Sequence, residues 1–128
     1  MMAIARFQLV ALDCPDSRAL AAFYSAITGW PESHPHDDYP EWIQLVGEGG
    51  ATLGFQQVAD YSPPVWPGQE HPQQLHLDFT VPDLDAGEAA VLAIGAVKHE
   101  LQPSPADFRV FLDPAGHPFC LVHARFDV

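Results

Sequence analysis

HPQQLHLDFTVPDLDAGEAAVLAIG, residues 71–95, decides the fold. From Gln74 to Val81 polar and apolar residues alternate strictly. Gln74, His76, Asp78 and Thr80 share one face; Leu75, Leu77, Phe79 and Val81 share the other. A period of two is the pattern of a strand with one wet and one dry face. Pro82 ends the strand, and Asp83 is placed to cap a helix by accepting a backbone N–H bond. Asp85 and Glu88 are expected in the first turn, where the helix dipole favours negative charge. Gly95 is the expected left-handed stop. The unit is thus strand, Pro-Asp turn, helix, glycine.

The same unit occurs near the N-terminus. Ala5 to Leu12 (ARFQLVAL) reads as a buried strand, followed by the turn Asp13-Cys14-Pro15-Asp16. Asp16 caps a helix over Ser17–Thr28, with Leu20, Phe23, Tyr24 and Ile27 at helical spacing and Gly29 as its stop. The two capping aspartates are 67 residues apart and the two glycines 66, about half the chain. That period exceeds the repeat of a solenoid and predicts two fused modules.

The remaining segments complete each module. Residues 30–40 (WPESHPHDDYP) form a loop or a short edge strand, and 41–46 (EWIQLV) a strand. Gly47-Glu48-Gly49-Gly50 carries hairpin chemistry and 51–58 (ATLGFQQV) returns. Residues 59–73 contain four prolines, which exclude regular structure and mark a crossover between modules. Beyond the second helix, strands are expected at 96–101, 107–112 and 117–124, with the turn Asp113-Pro114-Ala115-Gly116 before the last. The fold class is α+β, two βαβββ modules of mostly antiparallel sheet. Module 1 spans about 1–58 and module 2 about 74–128, within one domain over 1–128.

Composition narrows the function. The chain has 128 residues, 48% of them hydrophobic, enough for a real core. A net charge of −12 with five Lys plus Arg argues against nucleic acid and anionic membranes as partners, both of which demand a basic patch. The charge suits attraction of cationic small molecules, although solubility alone would account for it. No apolar run reaches the ~20 residues of a membrane span, and the N-terminus reads as a strand rather than a signal peptide. Cys14 and Cys120 make no disulfide framework, so a cytoplasmic protein with free thiols is expected.

The order Asp16…Phe23-Tyr24…Gly29-Trp30, then His76-Leu77-Asp78…Val81-Pro82-Asp83…Gly95-Ala96, then Asp113-Pro114-Ala115-Gly116 resembles the vicinal oxygen chelate superfamily. That superfamily includes glyoxalases, bleomycin-resistance proteins and extradiol dioxygenases. Pro63-Pro64…Trp66-Pro67 before the His-Leu-Asp strand is similar to the glyoxalase-like domain group common in actinobacteria. The resemblance spans nearly the whole chain, through order and spacing rather than any single motif. It implies paired modules curled around a cavity, usually in a homodimer.

In metal-dependent members four strands each supply one ligand, typically His or Gln, Glu, His and Glu. Carried over one at a time, these positions fall on Gln8 or Leu9, on Gln44, on His76 and on Cys120. Only His76 matches. Mg²⁺ and Mn²⁺ want carboxylates, so the resemblance implies a remnant of the site and no resident metal. What remains is a cavity with selected polar groups. His76 and Asp78 are candidates for general acid–base catalysis, or for holding a cationic or hydrogen-bonding ligand; the plainer alternative has Asp78 bonded to backbone or to Arg109. Trp42, Gln44, Thr80, Cys120 and Trp66 complete the expected ligand-binding set. Cys120, in an apolar strand, is as well explained as a small core residue. His34 and His36 with Asp37 and Asp38 carry groups that can chelate a metal at the surface, but a solvated loop is the expected reading. Trp30 and Tyr61, with Trp42 and Trp66, are aromatics near the expected cavity mouth that can stack on a planar or cationic ligand or serve only as core and lid packing. The expected function is small-molecule binding without the family's metal, as in bleomycin-resistance proteins, with a cationic or aromatic ligand. The alternative is a metal-dependent lyase, isomerase or dioxygenase with altered ligands; a regulatory role without turnover is a third reading.

Overall fold

A computed structural model describes residues 3–127. They form two compact units that divide between Tyr61 and Ser62. The first contains β1 (Val10–Cys14), α1 (Ser17–Thr28), β2 (Glu32–Ser33), β3 (Ile43–Val46) and β4 (Thr52–Gln57). The second contains β5 (Leu77–Val81), α2 (Leu84–Ala93), β6 (Val97–Lys98), β7 (Phe108–Leu112) and β8 (Pro118–His123). Each unit is βαβββ. Each sheet has its first strand parallel to its last, in the orders β1-β4-β3-β2 and β5-β8-β7-β6. The α+β class and the duplication stand as expected.

Both helices begin where the capping aspartates place them. Asp16 accepts the N–H groups of Arg18 and Ala19. Asp83 accepts that of Ala86. α1 ends at Gly29, whose φ of 73° is left-handed. α1 buries Leu20, Ala21, Phe23 and Tyr24 against its sheet, and Tyr24 stacks on Phe55 with ring centroids 6.0 Å apart. α2 buries only Leu84 and Val91. It lies close on its sheet at Gly87, where a Cβ would meet Val81 and Leu121 at 3.1–3.2 Å. Under it, Phe119 packs between Phe79 and Phe111 at 6.1 and 5.6 Å.

Several boundaries differ from the sequence reading, the starts of β1 and β5 for want of a hydrogen-bonding partner. β1 begins at Val10 rather than Ala5, because its partner β4 begins only at Thr52, after the 3₁₀ turn Glu48–Gly50. Gln8 and Leu9 therefore precede the strand. β5 begins at Leu77 rather than Gln74. Its register with β8 runs from Leu77↔Phe119, so His76 comes opposite Pro118, which has no N–H to give. Leu75, assigned to the dry face, is 44% exposed. The strand expected over 96–101 shrinks to Val97–Lys98. Glu88 lies one turn beyond the first turn of α2, which holds Asp85 alone of the acids. Its role is to pair with Lys98 and Arg109.

The proline-rich stretch after Ser62 packs onto the second unit. The Trp66 ring meets that of His99 edge-on at 4.9 Å, a ring nitrogen of His99 is 3.1 Å from the Trp66 carbonyl, and Pro63 lies against Gly116. Asp113 is buried and its carboxylate accepts the N–H groups of Ala115 and His117, which fixes the turn that launches β8.

Candidate functional site

Two groupings stand out, one in each unit. In the first, Trp42 precedes β3 and its ring lies across β4, close enough to Gly54 that a Cβ there would be 2.7 Å from the indole. The indole N–H donates to Gln44 Oε1 at 2.8 Å. Beside it is a cleft of about 230 Å³ lined by His36, Tyr39, Glu41, Trp42, Gln56 and Gln57. The wall is held from beneath. Buried Ser17 donates through Oγ to the Glu41 carbonyl at 2.5 Å, and through its N–H to Gln57 Oε1 at 3.2 Å. His36 and Tyr39 meet edge to face at 6.4 Å. Three rings and one carboxylate make a setting in which a planar or cationic group can stack and be neutralised.

In the second unit, Asp78 on β5 faces Cys120 on β8 across a parallel pair, and His76 precedes Asp78 by two residues on the same side. His76 Nε2 is 3.3 Å from Asp78 Oδ1. One ligand atom each from His76, Asp78 and Cys120 lie within 4.8 Å of one another. His76 and Asp78 are exposed and Cys120 is buried. Burial, the Asp78 charge and a thiol hydrogen bond to Asp78 push Cys120 up to about 12. Near neutral pH the thiol is therefore protonated and no nucleophile. Arg109 does not reach Asp78 as the plainer reading had it. It donates to Asp85 at 2.8 Å and Glu88 at 3.3 Å on α2, and these partners raise its pKa further.

The other expected residues scatter. Thr80 donates to Asp127 at 3.1 Å on the exposed side of β5. Trp66 is occupied with His99. The positions of the family's metal do not fit a hard ion. Gln8 is exposed outside any strand, Leu9 has no donor atom, and Gln44 Oε1 already holds the Trp42 indole. Cys120 is neutral. Sequence reasoning missed Tyr39, Glu41, Gln56 and Gln57, and left His36 in a solvated loop. The available signal was Tyr39-Pro40-Glu41-Trp42, two aromatics and an acid at the entrance to a strand.

A sequence model of the glyoxalase-like domain matches residues 9–122, nearly the full chain. The chain belongs to the glyoxalase-like domain family. It is thereby a member of the vicinal oxygen chelate superfamily, and the two βαβββ units are that superfamily's. No curated protein matches this glyoxalase-like domain. Among solved structures it is similar to TnmS3, an antibiotic-binding protein from Streptomyces sp. CB03234. The identity is 23%, the TM-score 0.61, and the match covers 96% of this chain and 98% of that one. It is also similar to a glyoxalase/bleomycin resistance protein/dioxygenase family enzyme from Burkholderia phytofirmans PsJN, at 20% identity and TM-score 0.66, covering 93% and 98%. The fosfomycin resistance protein FosX from Mesorhizobium loti matches at 15% and 0.64, covering 94% and 88%. At these identities the likeness is one of fold. Among the described residues, no helix of this glyoxalase-like domain is long and apolar enough to cross a membrane.

Proposed function

We propose that this glyoxalase-like domain is a small-molecule-binding protein that takes a cationic or aromatic group into the cleft beside Trp42. The observation that carries this reading is the lining of that cleft: His36, Tyr39 and Trp42 rings with the Glu41 carboxylate, braced by Ser17 and Gln57. At about 230 Å³ it is smaller than the roughly 300–1,000 Å³ of sites enclosing a whole drug-sized ligand. It therefore holds one ring or one ammonium group of a larger compound. The charge of −12 raises the local concentration of cations around it. That a protein of the same fold, TnmS3, binds an antibiotic supports the class of ligand. Binding of this kind needs none of the family's metal chemistry, for which the ligand positions are ill equipped. A homodimer in the cytoplasm remains the setting we infer from the family.

The test is a titration of tryptophan fluorescence with a panel of planar cationic dyes and glycopeptides at low and high salt. Micromolar quenching is expected. Tyr39→Ala, at an exposed position, should weaken it about tenfold and Glu41→Gln about threefold, in keeping with cation–π and surface charge energies. No binding at millimolar ligand, or binding indifferent to both substitutions, would overturn the proposal.

A further inference from the structure

We propose, resting on the reading of the cleft beside Trp42 as a ligand site, that Gln57, anchored by Ser17, sets its selectivity. It admits planar cations that carry a carbonyl oxygen next to the ring.

One amide has a fixed orientation. Ser17 opens α1, and its backbone N–H is among the donors at a helix start that find no partner within the helix. Asp16 accepts from Arg18 and Ala19 and leaves the N–H of Ser17 to another acceptor. Gln57 supplies it, with Oε1 3.2 Å from the Ser17 nitrogen. A backbone N–H can only donate, so the atom that faces it is the amide oxygen. The Ser17 hydroxyl lies 3.4 Å from the same oxygen and gives its proton to the Glu41 carbonyl at 2.5 Å. The Gln57 oxygen is thus spent on a fully buried serine. Gln57 lines the cleft, and the part of its amide left for a ligand is Nε2, a donor of two hydrogens.

The neighbouring walls are equally one-sided. The Trp42 N–H is committed to Gln44 Oε1 at 2.8 Å, so the indole offers its ring face. The Glu41 carboxylate offers acceptor oxygens. A ligand that satisfies all three brings a flat ring for Trp42, positive charge for Glu41 and a lone pair for Gln57. Glu41 and Gln57 are both tied to one serine, so the charge and the lone pair belong on the same small ring system. An acyl- or carbamoyl-substituted heteroaromatic cation has this pattern. A ring without the oxygen displaces water from Nε2 and returns no hydrogen bond, which disfavours it.

The test titrates the isotope-labelled full chain with two probes, followed by NMR at the Trp42 indole and the Gln57 side-chain amide. They are meta-acetyl-N-methylpyridinium and meta-isopropyl-N-methylpyridinium, in which a methyl stands where the carbonyl oxygen was. Ring and charge are the same in both. The acetyl compound should bind about fivefold more tightly, the worth of one hydrogen bond, and should shift both signals. Gln57→Glu keeps an oxygen for the Ser17 N–H and trades the donor for a second acceptor. The preference should then reverse, with the isopropyl compound the tighter of the two. Circular dichroism verifies that the variant is folded. Equal affinity for the two probes, or a preference for acetyl that survives Gln57→Glu, overturns the role of Gln57, while a Trp42 shift keeps the cleft as a ligand site. If neither probe moves the Trp42 signal at millimolar concentration, the cleft is no such site and the selectivity falls with it.

Discussion

Ala11 faces Gly54 across the first sheet, and Asp78 faces Cys120 across the second. These are the same address in two copies of one topology: second residue of the opening strand, and its parallel partner on the closing strand. Two residues earlier come Leu9 in one copy and His76 in the other. One unit thus holds leucine, alanine and glycine where the other holds histidine, aspartate and cysteine. The first has given the address to a lid of carbon, since the Trp42 ring lies on Gly54 and Leu9 borders it. The second has kept it polar. The duplicated backbone fixes where a side chain is presented; it does not fix what chemistry is presented there.

The largest effect expected from this contrast is at Gly54. A Cβ there would sit 2.7 Å from two carbons of the Trp42 ring, and the half-buried indole is rigid, with no flexible end to move aside. Gly54→Ala should cost about 1–3 kcal/mol, the usual penalty of overpacking, measured by urea denaturation. It should also displace the ring from the cleft and weaken dye binding with it. A neutral Gly54→Ala would mean that the tryptophan lid is loose and that the two addresses differ less than they look.

A smaller difference separates the two helices. Asp16 caps α1 through two N–H groups at 3.1 Å, whereas Asp83 caps α2 through one. Asp16→Ala should therefore cost about 1–2 kcal/mol and Asp83→Ala about 0.5–1 kcal/mol in the same denaturation experiment. α2 buries little beyond Leu84 and Val91, so its weaker cap belongs to a more weakly held helix. Equal costs would show that N–H count at the cap does not set the difference.

These contrasts also show which parts of the structure could be read from the chain. Both caps and the Gly29 stop were legible because their chemistry is local: an aspartate reaches N–H groups two or three residues on, and a glycine accepts positive φ. Strand starts were not, because Ala5 and Gln74 look strand-like alone and fail only for lack of a partner at Thr52 or beyond Pro118. The His76–Asp78 pair was visible as alternation on one strand. Cys120 entered the same expected ligand-binding set through the family positions alone, since its meeting with Asp78 depends on a parallel register across 42 residues. The cleft was hidden for a related reason. Its wall depends on Ser17 reaching Glu41 and Gln57 from another element, which no local pattern announces.

The smallest predicted effect is also the most diagnostic of the second address. In metal-free protein the Cys120 thiol donates to Asp78, and burial beside that carboxylate pushes it up to about 12 from an ordinary value of 9.0. The unfolded chain loses this proton near its ordinary value, while the folded chain keeps it. Between about pH 9 and 12 the unfolded state therefore binds fewer protons, and stability must fall as pH rises through that window. Below it the contribution is fully present. Cys120→Ala, compared with the parent chain in chelator, should show a small constant loss at pH 7 from the missing sulfur. The gap should close by about 1 kcal/mol as pH rises from 9 to 10, because only the parent has this thiol to lose. Tyrosine and lysine titrate in both proteins and cancel in the difference. If the two pH curves run parallel, Asp78 does not hold the thiol proton, and the polar address on the second sheet is an open surface like any other.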